Sequence, residues 1–234
     1  MSAITIHYPP ASGAAIVGDL APAPAIKPEI DALWEAATEQ EPDLFDGPVL
    51  SVISLSANRL QLARASYRHV VAARSSPRIK ELLGLRPLAV SGILTCPQGL
   101  VLGRRGHAVS TGAGLWELAP SGGMEYEAGD AKPDFTTQIL KELREEIGLA
   151  PDLVRVGQPV GMVEVTQSAC IDMVIPLATD LSADEILAAH RTLGSAEYGE
   201  LRIVPAAELH GWPGLVPESG AIIENWICVP AGPS

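Results

Sequence analysis

Three carboxylates, Glu142, Glu145 and Glu146, crowd the run Lys141-Glu142-Leu143-Arg144-Glu145-Glu146-Ile147-Gly148-Leu149. On an α-helix, residues three and four apart share a face, so the three form one acidic cluster. At an effective dielectric near 20, unit charges a few ångströms apart repel by roughly 4 kcal/mol, so such a cluster calls for a counter-charge. A hard divalent cation with oxygen ligands is the economical choice.

The element that must position these groups is legible around them. Leu140, Leu143 and Ile147 recur at helical spacing and make an apolar stripe beside the carboxylates. Gly148 follows, where a residue free to adopt the left-handed conformation closes a helix. The pattern predicts a helix from about Pro133 to Ile147. Upstream, Leu88 to Thr95 and Leu100 to Arg104 read as a β-hairpin across Pro97-Gln98-Gly99.

With Gly122-Gly123 before the helix, and Gly103-Arg104-Arg105, Leu115-Trp116-Glu117-Leu118 and Pro120-Ser121 before that, the run resembles the Nudix hydrolase signature. Two departures stand out. Lys141 occupies the position of the usual Arg, keeping the charge but losing the planar fork. The intervening loop is also lengthened: the acid expected six positions after the second Gly is at best Asp130, seven after Gly123, and ten residues separate it from Lys141.

The resemblance implies an α/β/α sandwich with a mixed sheet, and hydrolysis of a nucleoside diphosphate linked to another moiety, with Mg²⁺ or Mn²⁺. It implies Glu142, Glu145, Glu146 and the Gly123 carbonyl as metal ligands. The catalytic base is one of the helix glutamates or a Glu from a later loop: Glu197 first, with Glu164 and Glu200 as others. Arg104, Arg105, Arg68 and Trp116 are the expected substrate contacts. Nudix proteins are often dimers, so a homodimer is a further expectation.

Charge and composition limit the partners. The net charge of −12 argues against a general nucleic-acid surface, which needs clustered cations. Yet residues 59 to 105 hold nine of the sixteen Lys and Arg against one acid, Glu81, a distribution suited to diphosphate oxygens. No apolar run is long enough to span a membrane, and no basic region followed by an apolar block opens the chain, so a soluble cytoplasmic protein is expected. Cys96, Cys170 and Cys228 show no paired metal spacing and read as small core residues in a reducing compartment.

Two parts are expected, an α+β accessory domain over 1–84 and the catalytic domain over 85–234. In the first, a strand at Ile4 to Tyr8 precedes a Pro-, Ala- and Gly-rich arm over Pro9 to Pro28, read as irregular. A helix over Pro28 to Glu39, strands at Val49 to Leu55 and Arg59 to Ala65, and a helix over Tyr67 to Leu83 broken at Pro77 follow. In the second, strands are expected at Val154 to Val165, Ala169 to Leu177 and Glu200 to Val204, with helices at Ala183 to Arg191 and Glu218 to Ile227. The order Ile30-Asp31-x-x-Trp34, Leu44-Phe45-Asp46-Gly47 and Ser66-Tyr67-Arg68 is similar to a Nudix subgroup that hydrolyses UDP-glucose and UDP-galactose. That resemblance implies a UDP-sugar substrate. ADP-ribose, a dinucleotide or a damaged nucleotide is the alternative within the class, and a catalytically weak nucleotide-binding or regulatory module is the alternative outside it.

Overall fold

The computed structural model describes residues 3–107 and 111–228. Its first part comprises β1 (Ile4–His7), β2 (Ala14–Asp19), α1 (Lys27–Gln40), β3 (Pro48–Leu55), β4 (Leu60–Ser66), α2 (Tyr67–Ser75) and α3 (Pro77–Leu83). Then come β5 (Leu88–Cys96), β6 (Gly99–Arg105), β7 (Trp116–Leu118), β8 (Ser121–Gly123) and α4 (Phe135–Glu142), which continues as a wider π-type turn over Leu143–Ile147. The chain ends with β9 (Arg155–Val156), β10 (Gly161–Val165), β11 (Ile171–Ala178), α5 (Ala183–Leu193), β12 (Tyr198–Val204) and α6 (Pro217–Ile222). Among the described residues no helix is long and apolar enough to cross a membrane.

The large sheet runs β1-β10-β11-β5-β6-β12, with β7 on β6, β8 on β5 and β9 on β11. It is mixed, since β11 and β5 are parallel while β10 and β11 are antiparallel. Strand periodicity sorts its side chains into two layers. Leu88, Val90, Leu94, Val101, Met162, Met173 and Ile175 pack on one face with Ile139, Leu143 and Ile147 of the site helix and Ile186 of α5. Ile93, Leu102, Val163 and Val174 pack on the other with Ala221 and Ile222 of α6. Helices cover both faces, the α/β/α sandwich that the sequence led us to expect.

A second sheet, β2-β4-β3, sits over the first part of the chain. The arm expected to be irregular over Pro9 to Pro28 contains β2, whose ladder partner is β4, in parallel. Its apolar run Ala14 to Val17 is too short to announce itself, and the pairing comes from residues almost fifty positions away. The strand expected over Val154 to Val165 is instead two, interrupted around Gly157. The anticipated boundary at residue 84 falls between α3 and β5, yet packing is continuous across it. Leu50, Val52, Leu60 and Leu62 share a core with the large sheet, and β1 pairs with β10. The last expected residues of the second part, 229–234, lie outside the described residues.

The feature that positions the site is a fork. β5 and β6 pair only at Thr95↔Leu100 and Cys96↔Gly99, a far shorter hairpin than expected, and then part. β8 takes up β5 at Ala89, Val90 and Ser91, while β7 takes up β6 at Leu102, Gly103 and Arg104. Tyr198 crosses β6 at Gly103, where an added Cβ would stand 2.5 Å from the ring. The glycine is what lets the phenol pass. We expect Gly103→Ala to lower stability by about 1–3 kcal/mol through overpacking, read as a fall in the thermal unfolding midpoint. An unchanged midpoint would show that the ring can move aside.

Candidate functional site

Asp134 opens α4 by accepting a hydrogen bond from the Thr137 amide at 2.9 Å, and Gly148 at φ 80° closes the widened turn. Between these ends the helix presses Glu142 and Glu146 against β8. The Glu142 carboxyl lies on Gly122, where a Cβ would come within 2.3 Å of its Cδ. Gln138 donates to Glu142 Oε1 at 2.6 Å. Glu146 is 2 % exposed; its Oε2 accepts the Ser121 amide at 2.9 Å and its Oε1 is buried with no partner. Glu145 is exposed instead, and the expected convergence of three carboxylates is not present. Among the described residues no three His, Cys, Asp or Glu groups are arranged to hold a metal ion.

Burial and like charge govern the electrostatics. Burial pushes Glu142 up to about 7 against the pull of Gln138 and Lys141, with Glu145 and Glu125 adding repulsion. Glu146 is raised well above the ordinary carboxylate range, by burial first and then by Glu197, Glu142 and Glu117. An orphaned buried oxygen, two destabilised carboxylates and a side-chain-free floor at Gly122 are what an oxygen-seeking divalent cation would relieve. The donor set therefore fits such an ion, with Glu142 and Glu146 as the groups already in place.

A second cluster adjoins it, and the sequence reading missed its centre. Glu117 on β7 is 3 % exposed, and one oxygen of its carboxyl receives both Arg105 Nη1 at 2.5 Å and the Tyr198 hydroxyl at 2.9 Å. Burial pushes Glu117 up to about 7, opposed by Arg105 and Tyr198. A charged residue between Trp116 and Leu118, both buried, was the available signal. Glu197 stands at the mouth of this cluster, 4.0 Å from Arg105 Nη2, and burial raises its pKa.

The other expected residues have different occupations. Arg68 is engaged in the N-terminal unit, donating to Asp46 at 2.6 Å and Asp31 at 3.1 Å with its guanidinium 5.8 Å from the Trp34 ring centre. Trp116 is 9 % exposed and packs edge-on to Trp212. Arg104 donates to the Gly114 carbonyl at 3.2 Å and lies 3.8 Å from Glu200. Arg105 is held by Glu117 and by the Thr111 carbonyl at 2.9 Å. Of the alternative bases, Glu164 is paired with His7 and Arg86, and Glu200 with Arg202.

Asp130 accepts the Glu127 amide at 2.7 Å as a turn residue. Lys141 reaches Glu125 with 2.7 Å to both oxygens. Much of the basic segment is consumed internally, with Arg64 on the Asp130 carbonyl, Arg78 on Glu29 and Lys80 on the Gln167 carbonyl. Gly123 pairs across to Ala89 in β8. The three thiols are free and part-buried.

A buried polar chain backs the site from behind β8. Asp172 accepts from Ser91 at 3.1 Å, Ser91 lies 3.3 Å from Ser121 Oγ, and the Ser121 amide is the donor to Glu146. Burial pushes Asp172 up to about 7, with Glu218 adding to it and Ser91 opposing.

No family model and no curated protein matches this chain. Among solved structures, the chain is similar to a MutT protein from Methanosarcina mazei Go1 at 19% identity and TM-score 0.45, covering 58% of this chain and 88% of that one. It is similar to a NUDIX family hydrolase from Clostridium perfringens at 14% identity and TM-score 0.40, over 58% and 92%. It is also similar to an ADP-ribose pyrophosphatase from Streptococcus suis 89-1591 at 15% identity and TM-score 0.34, over 58% and 87%. Likeness at these scores carries no functional argument, which rests on the residues themselves.

The position of Asp172 gives a pH dependence of known sign. Its folded pKa of about 7 exceeds its ordinary 3.8, so the folded state holds the extra proton in between. Stability from this group is therefore greatest at low pH and falls as pH rises toward 7, by at most about 4 kcal/mol. Asp172→Asn should flatten the decline of the unfolding midpoint between pH 4.5 and 8. Superimposable wild-type and variant profiles would sink the assignment.

Proposed function

We propose that this chain is a Nudix-type pyrophosphohydrolase that cleaves a nucleoside diphosphate derivative with Mg²⁺ or Mn²⁺. The observation that carries the reading is the pair of acids set against β8: Glu142, half-buried over Gly122, and Glu146, buried on the Ser121 amide with its Oε1 unpartnered. Buried acids without compensating donors cost stability, and a protein retains them where a ligand compensates. The signature residues around them supply the second support.

Glu142 and Glu146 would hold the ion; the Gly123 carbonyl and, after a change of side-chain rotamer, the exposed Glu145 would be its further protein ligands. When bound, the ion would neutralise diphosphate charge and lower the pKa of a water. The Ser121 amide keeps Glu146 turned to the site, and Gln138 does the same for Glu142. Of the later-loop candidates, Glu164 and Glu200 are hydrogen-bonded to Arg86 and Arg202 and Glu197 to no cationic side chain, so Glu197 would accept the proton of the attacking water. Water adds to one phosphorus, the bridging P–O bond breaks, and a nucleoside monophosphate leaves with a phosphorylated partner.

For the substrate we infer a UDP-sugar giving UMP and sugar 1-phosphate, on the sequence motifs of the N-terminal unit over 1–84. Free thiols fit a cytoplasmic enzyme acting on a small molecule, and a homodimer accompanies the resemblance. The exposed Glu145 and the Lys at position 141 favour one second reading, a Nudix-fold module that binds nucleotide without turnover.

The test is product release from UDP-sugars, ADP-ribose and dinucleotides with Mg²⁺, with Mn²⁺ and with chelator. Chelator-sensitive UMP formation is expected. Glu142→Gln, Glu145→Gln and Glu146→Gln should each lower kcat on the order of 10²-fold, while the first and last retain or raise the unfolding midpoint because an acid that burial disfavours is gone. Nucleotide binding without turnover on any substrate would replace the hydrolase by the binding module.

A further inference from the structure

We propose that Glu117 is the positioning residue of the site: it is the counter-ion that keeps Arg105 off Glu197, leaving the Glu197 carboxylate without a hydrogen-bonded cation beside the site helix. The kinetic consequence rests on the hydrolase reading above, but the geometry does not.

Arg105 is a part-buried cation within reach of two acids. Its Nη1 is on Glu117 at 2.5 Å, its Nε on the Thr111 carbonyl at 2.9 Å, and its Nη2 only 4.0 Å from Glu197. No described residue donates a hydrogen bond to the Glu197 carboxylate, whereas the Glu117 oxygen receives two. In a partly desolvated setting a guanidinium 4.0 Å from a carboxylate closes on it unless something holds it back, because charge-assisted pairs are strongest at 2.7–2.9 Å. Glu117 and Thr111 are that restraint.

The backbone around Glu197 is fixed by separate means, so the acid cannot retreat. Gly106 donates to the Glu197 carbonyl at 2.7 Å, and Ser195 donates to the Glu145 carbonyl at 3.0 Å. Tyr198, next in the chain, is tied to Glu117 through its hydroxyl. The same carboxyl that holds Arg105 thus anchors the start of β12, directly after Glu197. Glu197 is in turn the largest charge acting on Glu146, after burial.

The experiment compares wild type, Glu117→Gln and the double variant Glu117→Gln/Arg105→Gln. In a crystal structure of Glu117→Gln, Arg105 should close on Glu197 to hydrogen-bond distance. The kcat of that variant should fall about tenfold or more with KM changed by less than about threefold, since a group acting only on the chemical step is lost. Removing Arg105 as well should raise kcat at least about threefold above that of Glu117→Gln, a non-additivity that a merely structural Glu117 would not produce.

Glu117→Asp, whose carboxyl withdraws by about one C–C bond of 1.5 Å, should give a weaker loss of the same kind and serves if the Gln variant does not fold. Arg105 staying at its present distance from Glu197, or a double variant no faster than Glu117→Gln, overturns the proposal. Wild type without chelator-sensitive turnover overturns the hydrolase reading alone, and the Arg105–Glu197 distance still decides the role of Glu117.

Discussion

Glu117, Glu142, Glu146 and Asp172 are carboxyl groups taken out of water, and each then requires a proton, a cation or donors aimed at it. The chain answers differently at each. Glu117 has Arg105 and Tyr198, Asp172 has Ser91, and Glu142 has Gln138. Glu146 has one backbone amide for two oxygens. The unevenness is informative, because burying a half-satisfied acid is the most costly of these arrangements and it occurs where three other acids contribute repulsion.

The sheet makes this crowding possible. Where β5 and β6 separate, two three-residue strands enter, and their backbone bonds fix β7 and β8 to opposite sides of the opening. β7 brings Glu117, β8 brings the Ser121 amide and the bare surface of Gly122, and the site helix lies across them. Apolar residues of that helix, Ile139, Leu143 and Ile147, are fully buried, so its angle to the sheet is set by core packing rather than by its acids. Stable packing on one stripe thereby holds strained electrostatics on the other.

Much of this was legible in the sequence, for identifiable reasons. The site helix announced itself through Leu140, Leu143 and Ile147 and stopped at Gly148, where the structure also ends it. The strands β3, β4, β5, β6 and β11 were readable because strand pattern and turn residues agreed there. What was not readable depends on partners distant in sequence. β2 forms because β4 is beside it, and Glu117 gains its role from residues twelve before and eighty-one after it. Helical spacing put Glu145 with its neighbours, but the turn widens at Leu143 and Glu145 is left in solvent. Motif similarity suggested a substrate contact at Arg68, but its guanidinium is already bound by Asp46 and Asp31.

The first strand has a consequence for how the molecule moves as a whole. Ile4 through His7 pair with Met162 through Val165, and His7 continues the link through Glu164 to Arg86. The strand thus takes over that edge of the sheet as a short outer strand of four residues. It also ties the opening residues of the chain to the far side of the large sheet, with β2 to β4 enclosed between the two anchor points in sequence. Moving the small sheet against the large one would also have to open the core that Leu50, Val52, Leu60 and Leu62 share with the large sheet, so the junction at residue 84 is no free hinge.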